Sequence, residues 1–102
     1  MNVNPVSSLL EMAHLPATEA NLAAADLALG RALLRAGQDY LARVSDEWDV
    51  DLFYEVYGHP PASGGWAHAI MSGLESRPDI PVEDRTAILK DALTSALSRL
   101  KS

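Results

Sequence analysis

Proline removes a backbone donor and clashes with the preceding turn, so it is poorly tolerated inside a helix. The six prolines of this chain, at positions 5, 16, 60, 61, 78 and 81, therefore limit what any helix can span. The widest proline-free interval runs from 17 to 59. Alanine and leucine supply 31 of the 102 residues, while valine and isoleucine supply only 9, and that inventory favours helix over strand. The expected class is all-α: a single helical domain over 1–102, a compact bundle of four to five helices built around a long central helix at about 18–44.

The first segment predicts a helix from Pro5 to about Leu15, with Asn4 as N-cap, Pro5 at the first helical position and Pro16 as its end. Val6, Leu9, Leu10 and Ala13 fall on its inner face. Thr18 then caps a helix that runs to about Val44, with Glu19 at the positive end of its dipole. At 100° per residue, Leu22, Leu29, Leu33, Ala36, Tyr40 and Val44 form one stripe, and Leu27, Leu34 and Leu41 form a second. Between them lie Ala23, Gly30 and Gly37, small enough to admit another helix closely. Arg31, Arg35, Asp39 and Arg43 take the opposite side. A helix apolar over about half its circumference needs cover from two directions. Its own bundle and a second copy of the chain are both expected to contribute, with Leu27, Gly30, Leu34, Gly37 and Leu41 as the self-association set of a homodimer.

Residues 45–57 fit two periods. Trp48, Val50, Leu52, Tyr54 and Val56 alternate as in a strand, whereas Trp48, Leu52, Phe53, Val56 and Tyr57 line one side of a helix capped by Ser45 or Asp46. A lone strand has no partner elsewhere and the acids cluster at the start, so helix is the reading adopted. Gly58 to Gly65 reads as a long loop, Trp66 to Glu75 as a short helix with Ile70 and Leu74 inward, and Arg77 to Pro81 as a break. A last helix is expected over Val82 to Leu100, with Val82, Leu89, Leu93, Ala96, Leu97 and Leu100 inward.

Fourteen acidic against eight basic residues give a net charge of −6, and five units of it fall within 38–64. That balance argues against direct contact with nucleic acid or an anionic membrane, both of which demand cations. Within it, residues 48–57 hold four of the six aromatic residues, Trp48, Phe53, Tyr54 and Tyr57. Large rings ringed by carboxylates suit docking on a basic protein surface. The candidate partner-binding residues are Asp46, Glu47, Trp48, Asp49, Asp51, Tyr54, Glu55 and Tyr57. The competing reading puts the rings in the core and the carboxylates on a solvated face. Tyr54 separates the two, because a helix that hides Trp48, Leu52 and Val56 leaves it among the acids.

Other chemistry finds little footing. His14, His59 and His68 lack metal-ligand spacing and there is no cysteine, so no metal, cofactor or disulfide is expected. Asp49-Val50-Asp51 starts like a calcium loop, but Phe53 and Tyr54 stand where an oxygen ligand and the turn glycine belong. Gly64-Gly65 has no following lysine, and no serine sits in a Gly-x-Ser-x-Gly elbow. The Asp-Ser-Leu attachment site of acyl carrier proteins is also absent. An enzyme using His59 or His68 beside a carboxylate is the least favoured class. The start of the chain lacks signal-peptide regions, no run suits a membrane span, and cysteine is absent, so a cytoplasmic location is expected. The expected function is that of a small acidic regulatory or protein-binding domain: an inhibitor, immunity factor, adaptor or accessory subunit. A nucleic-acid mimic blocking a DNA- or RNA-binding protein, and a purely structural homo-oligomer, are the alternatives.

Overall fold

The Thr18 hydroxyl accepts a hydrogen bond from the Asn21 amide at 3.2 Å and opens the longest helix of the chain. In the computed structural model, which describes residues 4–101, the chain forms α1 (Pro5–Met12), α2 (Glu19–Val44), α3 (Glu47–Tyr57), α4 (Trp66–Glu75) and α5 (Val82–Lys101). No strand occurs among the described residues. At 1.5 Å per residue α2 is about 39 Å long, and the molecule measures 40 Å along its longest axis. Helices α1, α3, α4 and α5 all pack on α2, which is the central element.

The caps follow the sequence closely, with one correction. Asn4 and Asp46 accept from the amides of Val6 and Asp49, as their residue types predict. Helix α1, however, stops at Met12 instead of reaching Leu15. His14 adopts a left-handed conformation (φ 58°), its amide bonds to the Glu11 carbonyl, and the Leu15 amide reaches back to the Leu10 carbonyl at 3.0 Å. This is a Schellman motif, so local backbone bonding closes the helix before Pro16 is reached.

Leu29, Leu33 and Leu41 are almost fully buried, and Ala25, Ala28 and Leu34 are buried with them, so α2 is covered around much of its circumference. On one side the Tyr40 hydroxyl donates to Asp84 of α5 at 2.6 Å, and that carboxylate raises the phenol above its ordinary pKa. On the other side lie the two glycines. A Cβ at Gly30 would come within 2.6 Å of Trp66 Cδ2, and one at Gly37 within 2.8 Å of Phe53 Cζ. The arc read as a homodimer surface is thus filled from within the same chain. Gly30, Leu34, Gly37 and Leu41 are buried under α3 and α4, and of the self-association set only Leu27 stays exposed. The physical inference of close approach was sound, but the occupants are this chain's own aromatic rings.

Trp66 is fixed at both ends. Its indole Nε1 donates to the Tyr57 carbonyl at 2.7 Å, and its backbone amide donates to Asp26 of α2 at 3.1 Å. The Ala67 amide meets the other oxygen of the same carboxylate at 3.0 Å. Gly65, in the N-cap position of α4, has φ 76° and no side chain, so Asp26 supplies from a distant helix the acceptor that a local cap would normally provide. In α5 the buried residues are Ile88, Ala92 and Ala96. Leu89, Leu93, Leu97 and Leu100 flank them, while Val82, expected inward, is exposed at the helix start.

Alanine is the better helix former by about 1 kcal/mol at an unconstrained site, but at Gly30 its methyl would collide with Trp66. Gly30→Ala is expected to destabilise the fold by about 1–3 kcal/mol, the usual cost of overpacking, measured by urea denaturation; an unchanged or higher midpoint would show that Trp66 is not seated as described.

Candidate functional site

Helix α3 packs on α2 and α4 and turns the remaining surface outward. Its inward face is set by the packing of Phe53 and Tyr57. Phe53 is buried against Gly37, and Val50 and Tyr57 pack against the core. The rings of Phe53 and Tyr57 meet with centroids 5.2 Å apart, and Tyr57 lies over Gly73 of α4. Arg77, in the break before α5, makes a two-pronged contact with Asp49 at 3.0 and 2.7 Å. It also contacts Asp79 at 3.2 and 2.8 Å.

With that face inward, Trp48, Leu52 and Val56 point outward. Trp48 is 70% exposed, Val56 59%, Tyr54 46% and Leu52 39%. Both apolar rows of α3 obey the helical period, and the row of Trp48, Leu52 and Val56, hidden in the competing reading, is the one on the surface. Glu47, Asp51 and Glu55 are exposed and follow the same one-turn spacing, so a row of carboxylates runs beside a row of apolar side chains. Tyr54 closes the far edge of the acidic row, its ring 6.0 Å from that of His59 in an edge-on arrangement.

The predicted partner-binding set therefore divides. Glu47, Trp48, Asp51, Tyr54 and Glu55 share the outer surface. Asp49 is paired with Arg77 and Tyr57 is packed inside, and these two are corrections; Asp46 caps α3 through one oxygen and stays exposed at its start. Leu52 and Val56, absent from the predicted set, belong to the surface as well. Their one-turn spacing from Trp48 is the signal that links the three, and it carries no information about which way the row faces.

The side of α2 away from α3 carries a groove of about 910 Å³ floored by Ala28, Ala32 and Ala36. Arg31, Arg35, Arg43 and Arg99 line it together with Asp39, Asp84 and Asp91, so charges of both signs face it. Among the described residues no group of three or more His, Asp or Glu could hold a metal ion, and no helix is long and apolar enough to cross a membrane. Neither His59 nor His68 hydrogen-bonds a carboxylate among the described residues. Comparison with protein families, with curated proteins and with solved structures finds no match to this chain.

Two outcomes test this geometry. The Arg77 guanidinium holds the Asp49 carboxyl below the usual carboxylate range, so the pair's contribution is complete above the unfolded-chain value of about 3.9 and is lost as pH falls through the folded one. Stability measured in urea should decline with acidification below about pH 5, and Asp49→Asn should flatten that decline while lowering stability at neutral pH. Trp48 and Trp66 should also separate by fluorescence. Trp48→Phe is expected to remove the long-wavelength emission that acrylamide quenches, leaving the shielded signal of Trp66, which is 4% exposed.

Proposed function

We propose that this protein is a small protein-binding domain that docks on a basic surface of another protein through the outer face of α3. The observation that carries the reading is the exposure of Trp48 at the head of an apolar row, with Leu52 and Val56 behind it and Glu47, Asp51 and Glu55 alongside. An indole left in water forgoes one of the largest burial gains available to a side chain, and tryptophan is the residue type most often found as an interface anchor. The adjoining carboxylates select a partner that presents lysine or arginine and steer its approach. The mechanism is occupancy: no reacting group is involved, and the consequence for the partner is that its basic surface is covered. A role as inhibitor, immunity factor, adaptor or accessory subunit fits this mechanism equally well. Nucleic-acid mimicry is less favoured, because with Asp46 and Asp49 engaged in the fold only three carboxylates remain in the row on α3.

The test is affinity capture on the immobilised protein at roughly 0.05 M and 0.5 M salt, followed by cross-linking. A genuine partner should be retained at low salt and cross-link to α3. It should be lost both with Trp48→Ala and with the combined Glu47→Gln, Asp51→Asn and Glu55→Gln changes, which leave the caps and the Arg77 pair intact. Proteins retained equally by all three forms would refute the assignment of this surface.

A further inference from the structure

Arg85, one turn into α5, is a half-buried cation without a counter-charge. Its Nη1 donates to the Glu75 carbonyl at the end of α4 at 2.9 Å, which satisfies one helix-terminal acceptor. No carboxylate forms an ion pair with it among the described residues, where both ion pairs belong to Arg77. Its Nε is buried with no hydrogen-bond partner, the one side-chain atom in that condition among the described residues. A guanidinium carries five N–H donors, and with only Nη1 engaged by a carbonyl and no paired carboxylate, donor capacity remains for an acceptor in the neighbouring cleft.

The guanidinium stands at the edge of a cleft of about 520 Å³ between α2, α4 and α5. The walls are Leu33, Met71, Leu74, Ile88 and Leu89, and the exposed Val82 lies on the same lining. That size lies within the range of small-molecule sites, roughly 300–1,000 Å³, and the combination of apolar walls with a few polar groups, here Arg85, Glu75 and Thr86, is typical of them. We propose that this cleft binds a small amphipathic carboxylate, a linear aliphatic acid of medium length, with its carboxylate on Arg85 and its chain along the leucine, isoleucine and methionine side chains. A neutral chain would leave the cation unmatched, and a free phosphate would leave the walls in water. Glu75 also lines the cleft and is exposed; its charge opposes that of the ligand and favours a single negative group over two. The site uses none of the outward residues of α3, so it stands or falls apart from the docking surface.

The experiment is a titration of methyl-labelled protein with octanoate, octanol and octylamine, followed by NMR. Octanoate should shift the methyl signals of Leu33, Met71, Leu74, Ile88 and Leu89 saturably, octanol should bind at least about tenfold more weakly, and octylamine more weakly still. Arg85→Gln should bring octanoate down to the level of octanol, and Glu75→Gln should tighten octanoate several-fold, while Trp48→Ala changes nothing. The proposal is overturned if those methyls do not shift saturably, if acid and alcohol bind equally, or if a folded Arg85→Gln protein binds octanoate as before. Should Arg85→Gln fail to fold for want of the α4 contact, the comparison of acid, alcohol and amine on the native protein decides the matter alone.

Discussion

The contact between the Trp66 ring and Gly30 is the joint on which the rest of the bundle depends. It brings α4 against α2 at a distance that no side chain at position 30 would permit, and the two hydrogen bonds from α4 to Asp26 fix the angle of approach. The indole then reaches the last carbonyl of α3, so one residue ties three helices together. Phe53 repeats the arrangement two turns along α2 at Gly37. Once both rings are seated, the phase of α3 is settled, and with it which of its two apolar rows meets water.

Much of this was legible in the residues. Proline positions, the caps Asn4, Thr18 and Asp46, and the heptad spacing of Gly30 and Gly37 located the helices and foretold that something would press closely on α2. The identity of that something was not legible, because a small-residue arc records the need for close approach and says nothing about whether the ring comes from the same chain or another. The facing of α3 was hidden for a related reason. Val50, Phe53 and Tyr57 form as good a helical row as Trp48, Leu52 and Val56, and the choice between them rests on Gly37, Gly73 and Arg77, all remote in sequence. The end of α1 was missed because left-handed backbone at a histidine is uncommon and no residue type announces it.

The charges show the same division between local and distant causes. Five carboxylates between 46 and 55 look equivalent in the sequence, yet one caps a helix and another is gripped by Arg77, so the acidic surface is narrower than the count suggests. Arg85 is the converse case: nothing in the sequence marks it, and only the packed cleft reveals a cation that forms no ion pair among the described residues.

Helix α3 is held at its start by Asp46, along its length by Phe53 against α2, and from the side by the Arg77 clamp. Its backbone is thus ordered before anything touches the outer rows. A binding event there would immobilise side chains only, at roughly 0.5–1.5 kcal/mol for each long one, and would not have to fold the segment first. Rigid pre-organisation of that kind lets a modest footprint reach useful affinity, and it shifts selectivity onto the shape of the opposing surface.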